Sequence, residues 1–198
     1  MQGLFYFIVK PVESRYKNTK NIGDKSLITN TENFTHQNVN RNAIVLAIPK
    51  DLETEIQVGD EVIVHHNVFR VWKDIRGVEQ SSKSYFKEDQ YFVQQDQIYL
   101  YKQNNQWKSI DNYCFVKPIH SLDKFDIENE QPLVGILKYT NNSKYLKELN
   151  VGDLVGFTPR SEYEFIINGE RLYRVMTKAI TIKYEYKGKE KEYNPSWV

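Results

Sequence analysis

The sequence contains one cysteine, Cys114, in 198 residues. That excludes an intramolecular disulfide framework and fits a reducing compartment. It lacks an excess of either charge: 27 Lys and Arg stand against 26 Asp and Glu, a formal net charge of +1. Such a balance argues against a dedicated nucleic-acid or membrane-surface role. No stretch approaches the roughly eighteen apolar residues that a spanning helix needs. The opening "MQGLFYFIVK" carries an apolar run too short for a signal sequence, without a basic start or a small-residue cleavage site. The expected location is the cytoplasm.

Chemistry-bearing motifs are also missing. None of the nine glycines lies two residues from another, which excludes a dinucleotide fingerprint. There is no Gly-x-Ser-x-Gly elbow, phosphate-cradling glycine loop or His-Glu-x-x-His. Cys114 sits in an apolar strand and reads as a small core residue rather than a nucleophile. His65-His66 is the one adjacent histidine pair; on a strand the two would face opposite sides and could not share a metal, and His36 and His120 are distant in sequence. Asp60 and Asp153 each follow a Val-Gly pair and read as turn residues that open a strand, not as a catalytic acid and base. No enzyme activity, metal or cofactor is expected.

Helical periodicity is scarce, with "SKYLKELN" (143–150) good for about two turns. Strand signals dominate instead: "FYFIVKPV", "AIVLAIP", "DEVIVHHNVFRVW", "QYFVQQDQIYLY", "NYCFVKPI", "PLVGILKY", "DLVGFT" and "YEFIINGERLYRVMTKAITIKYEY" are rich in β-branched and aromatic residues. Asn168-Gly169 between alternating apolar residues predicts a hairpin, and "EYKGKEKEY" a weaker one. The fold class is all-β.

The chain repeats itself. "FIVKPV" (7–12) recurs as "CFVKPI" (114–119), "IQVGDEVIV" (56–64) as "LNVGDLVGF" (149–157), and "QYFVQQDQIYLY" (90–101) in pattern as "LYRVMTKAITIK" (172–183). "AIVLAIP" (43–49) pairs with "PLVGILK" (132–138). Four elements in the same order predict two small β-barrels, 1–111 and 112–198. Val9, Val45, Ile48, Val62, Val64, Val93 and Ile98 are expected in the first core. Val116, Val134, Val155, Phe157, Tyr173, Val175 and Ile180 are expected in the second.

The copies differ in one connection. Val9 to Val116 is a displacement of 107 positions and Val45 to Val134 one of 89, so eighteen residues are absent from the second copy. They are missing from a polar loop at about 13–40 whose only apolar knot is "SLIT". Structureless loops of that length are rare in compact domains and are functional or disordered where they occur. A second insertion, "WKDIRGVEQSSKSYFKED" (72–89), also belongs to the first copy alone.

This ordered set, a strand ending in "VKP", a long loop with an apolar knot, a "VLAIP" strand and a "VGD" strand, resembles the GroES family of co-chaperonins. The resemblance covers nearly the whole chain twice. It implies tandem GroES-like barrels forming a ring-shaped homo-oligomer that caps a GroEL-type chaperonin in a nucleotide-dependent way and assists non-native clients indirectly. It also implies that the mobile loop orders on the chaperonin, with Leu27 and Ile28 as docking residues and Ile22 as a spare. The connection "KDLETEIQ" is too short for the family's roof hairpin, as in phage-encoded members, which would place the protein in a host cytoplasm.

The rival expectation is a viral structural or assembly subunit whose long loop is an arm around a neighbour. A third, weaker one is a barrel that binds single strands by stacking, with "YLYKQNNQWK" its best stretch.

Overall fold

A computed structural model describes residues 3–13, 15, 19–22, 25–28, 39–110, 112–122 and 129–194, with the backbone alone at 19–22 and 25–28. The chain is all-β, with no helix of seven or more residues among those described. It divides into two compact units, Met1–Gln106 and Trp107–Val198, a boundary five residues before the one expected from the repeat.

The first unit contains β1 (Phe7–Pro11), β2 (Thr19–Ile22), β3 (Lys25–Ile28), β4 (Asn42–Ala47), β5 (Glu61–Val64), β6 (Val71–Lys73), β7 (Glu79–Ser81), β8 (Tyr85–Lys87), β9 (Gln90–Val93) and β10 (Ile98–Gln103). Then follow β11 (Gln106–Ser109), β12 (Tyr113–His120), β13 (Glu130–Tyr139), β14 (Leu154–Phe157), β15 (Tyr163–Ile167), β16 (Glu170–Met176) and β17 (Ile180–Tyr184). One sheet runs β11-β10-β5-β4-β1-β9-β8 and the other β15-β16-β12-β13-β14-β17. Among the described residues neither ladder closes on itself. Read from β10 to β8 and from β17 to β15, the two orders match strand for strand.

The repeat extends to individual residue pairs. Phe7 pairs with Val93 and Val9 with Tyr91, as Cys114 pairs with Val175 and Val116 with Tyr173. The β-bulge between Ile8 and Val9 returns between Phe115 and Val116. Even the single 3-10 turn before the last strand recurs, at Gln95–Gln97 and Thr177–Ala179.

One element of the expected alignment is corrected. Val9 pairs with Val45, but Val116 pairs with Leu137 rather than Val134. Ala43, Ile44 and Val45 therefore correspond to Gly135, Ile136 and Leu137, a displacement of 92, and the second copy is fifteen residues short rather than eighteen. Pairing with the next strand agrees: Ala43 faces Val62 and Gly135 faces Val155. The first-copy string has no glycine to align on, so apolar similarity alone left a three-residue slip undetected. An odd slip also exchanges the faces of a strand. Val134 accordingly belongs to a separate cluster with Ile119, Ile136 and Leu154, while Leu137 packs with Cys114, Val116, Val155, Phe157 and Val175.

Val9, Val45, Val62, Val64, Val93 and Ile98 are all fully buried in the first unit, as expected. Ile48 is half-buried, because β4 buries Ala43, Val45 and Ala47 and the following residue falls on the other phase. In the second unit Tyr173 and Ile180 are half-buried and pack on the rim of the core cluster.

Asn168 and Gly169 (φ 54° and 78°) turn β15 into β16 as predicted. Two further two-residue turns, Glu88-Asp89 and Asn104-Asn105, also have positive φ at both positions. They lack glycine and so carried a weaker signal. "EYKGKEKEY" forms no hairpin: β17 ends at Tyr184, and the following segment returns to make a single bridge from Glu192 to Ile119. "SKYLKELN" forms no α-helix: Lys144–Leu146 make one 3-10 turn, followed by a further turn through Lys147 and Glu148. The insertion at 72–89 is a hairpin of β6 and β7, turned by Asp74, whose Oδ1 accepts the N–H groups of Arg76 and Val78, followed by β8 on β9.

Candidate functional site

The connection between β1 and β4 is built on neighbouring strands. Pro11 pairs with Ala43, and beyond that pair Val12 N–H donates to Asn42 O (3.0 Å) and Asn40 N–H to Arg15 O (2.9 Å). The two limbs thus leave the sheet together, their bases tied. The matching connection of the second copy is held by His120 opposite Glu130 and by Ser121 N–H on Asn129 O (2.8 Å).

The first-copy connection is not structureless throughout. β2 and β3 form a two-stranded sheet of their own, with Thr19 opposite Ile28, Lys20 opposite Leu27, Asn21 opposite Ser26 and Ile22 opposite Lys25. The signal for this was the glycine between two short runs containing isoleucine or leucine, read in sequence as part of a long polar loop. Ile22, Leu27 and Ile28 are brought onto one hairpin, Ile22 in one strand and the other two in its partner. Their side chains lie outside the described residues, as does His36.

The "VGD" turns are a matched pair of scaffolding devices. Gly59 and Gly152 both have φ +97°, and their N–H groups donate to Val45 O and Leu137 O, each at 2.8 Å. Asp60 accepts the Gln57 N–H at 2.9 Å and Asp153 the Asn150 N–H at 2.8 Å. The Lys183 ammonium, 2.7 Å from Asp153, holds that carboxyl below the usual range, with the Asn150 N–H adding to it. Both carboxylates are committed to closing a turn.

Burial pushes the Cys114 thiol up to about 12, leaving no thiolate at neutral pH. His65 and His66 follow β5 rather than lying in it, so the alternation expected of strand residues does not apply. Their rings stack at 4.2 Å, and His65 Nδ1 accepts the Asn67 N–H. Among the described residues no three His, Cys, Asp or Glu side chains gather as metal ligands would. In "YLYKQNNQWK", Tyr99 and Tyr101 are buried, and Tyr101 donates to Glu55 Oε2 at 2.7 Å, so neither ring offers a stacking face.

The second unit carries a charged cluster that sequence reasoning missed. Lys117, 7% exposed, bonds Glu170 (2.6 Å) and Glu192, and Glu170 also takes Lys138 (3.2 Å). Burial works against the charge on Lys117, but its two carboxylate partners outweigh this and raise its pKa. For Glu170, desolvation is likewise outweighed by the lysines, and its pKa falls. Beside it, Arg171 bonds Glu130, Glu164 and the hydroxyl of Tyr173, which in turn donates to Glu130 Oε1 at 2.6 Å. Burial, then this carboxylate, drive the Tyr173 pKa upward. These groups come from β12, β13, β15, β16 and the C-terminal segment, and no local motif joins them.

No protein-family model and no curated protein matches the chain.

Proposed function

We propose that the protein is a co-chaperonin of the GroES-like kind, a non-enzymatic lid made of two tandem small barrels. The observation that carries this reading is an asymmetry within a duplication. Two sheets share strand order and register, yet among the described residues only the first bears a self-paired hairpin between its β1 and β4 limbs. The matching connection of the second copy is fifteen residues shorter, so the architecture does not require the added length, and an added segment with three aliphatic residues is suited to docking. Leu27 and Ile28, with Ile22 on the facing strand, are the docking residues.

A single short hairpin buries little surface and binds weakly. A ring-shaped homo-oligomer presenting several recovers affinity by multivalency and still releases when its partner changes state. The nucleotide and its hydrolysis belong to the chaperonin; the lid holds no cofactor. The thirteen residues from Ile48 to Asp60, between β4 and β5, leave little chain for a roof hairpin, consistent with a lid of wide opening.

The test is binding to a GroEL-type chaperonin with ATP or ADP, wild type beside a Leu27→Asp, Ile28→Asp double variant. Nucleotide-dependent binding lost in the variant is the expected result. A folded wild-type protein that binds with neither nucleotide overturns the lid and leaves the hairpin as an inter-subunit arm of an assembly protein.

A further inference from the structure

The duplicated lysines Lys10 and Lys117 occupy the middle of the same Val-Lys-Pro string but meet different fates. Lys10 is exposed and Lys117 buried. The sheet itself therefore does not require the burial. β16 pairs with β12 only from Met176 to Tyr173 and then continues with β15. The vacated side of β12 is taken by the chain's own C-terminal segment: Tyr193 N–H donates to Pro118 O (2.8 Å), and His120 N–H to Lys191 O (2.9 Å). Glu192 bonds Lys117. The Tyr193 ring is buried edge-on to His120 (centroids 5.2 Å) with the Arg171 guanidinium 5.5 Å from its centre. Asn194 Oδ1 accepts the Arg171 N–H at 3.1 Å.

Each residue of the segment thus meets a distinct receptor feature. Backbone pairs to backbone as in strand addition, and the side chains of Glu192, Tyr193 and Asn194 each find a partner that sets the preference. Without Glu192, Lys117 and Lys138 face Glu170 alone, an excess of one positive charge that selects an acidic residue. We propose that the strip along Pro118–His120 is a peptide-binding groove for extended segments of the order Glu-Tyr-Asn, and that Lys191–Asn194 is its tethered occupant. This does not depend on the co-chaperonin reading.

The probe is a labelled synthetic peptide of residues Lys189–Val198, followed by fluorescence anisotropy. The receptor is the full chain carrying Glu192→Lys and Tyr193→Ala, which releases the tether and leaves every groove residue in place. The released chain is expected to bind the peptide saturably. Wild type should bind at least about tenfold more weakly, because its own tail occupies the groove at high effective concentration. A peptide with the same two substitutions should not bind. A released chain that keeps the wild-type circular dichroism and melting transition but binds no peptide overturns the groove. So does equal binding of the two peptides. Should the released chain fail to fold, hydrogen exchange in the wild type decides. Faster exchange at the His120 and Tyr193 amides than at Val116 supports a displaceable occupant, and equal protection at all three overturns it.

Discussion

Replacing Gly59 or Gly152 by alanine tests the claim that the two "VGD" turns carry backbone conformation and not chemistry. Both glycines sit at φ +97°. A methyl group added at either meets no atom within 4 Å, so no steric clash contributes. What remains is the cost of holding an L-residue in left-handed space, about 1–2 kcal/mol. For units of this size that corresponds to a melting shift of roughly 4–8 °C per kcal/mol. Differential scanning calorimetry with urea titration reads both quantities, and the two variants should lose similar amounts. Asparagine, which tolerates this region better, should recover part of the loss. A cost below about 0.3 kcal/mol at both sites would refute the backbone argument. A disparity above about 2 kcal/mol would refute the claim that the turns are equivalent.

Leu137→Ala should cost about 2–5 kcal/mol, because Leu137 is fully buried in the core cluster, whereas Ile48→Ala, half-buried, should cost on the order of 1 kcal/mol; equal losses in urea denaturation would restore the rejected alignment. Cys114 should resist a thiol reagent at pH 8 in the native protein and react fully in guanidinium. A rapid native reaction would contradict its burial. Asp153 and Glu170 have lowered carboxyl pKa values, so their stabilisation is present above the ordinary carboxylate range near about pH 4 and is lost as pH falls through the folded values. Urea midpoints measured from pH 7 down to 3 should therefore drop, and Asp153→Asn with Glu170→Gln should flatten that limb. An unchanged acid limb in the double variant would remove these two groups as its cause.

The all-β class, the duplication and the Asn168-Gly169 hairpin were legible from sequence because each rests on local signals: period-two patterning, recurring strings and a turn dipeptide. The register of β13 was not. Val134 and Leu137 are both apolar, and only the backbone ladder to β12 and β14 distinguishes them. The long connection was visible as an addition, but not its β2–β3 pairing, since four residue pairs leave little periodicity to read. His65 and His66 were placed on a strand that in fact ends at Val64.

Sequence by itself determined that this chain makes two versions of one sheet and that one version carries an extra loop. Recurring strings survive in the order of residues whatever the chain does in space. Tertiary structure alone decided that Lys117 is buried while Lys10 is not, and that the C-terminal segment lies along β12. Those facts depend on where β16 parts from β12, and on charges some fifty and seventy-five positions apart in the chain meeting on one lysine.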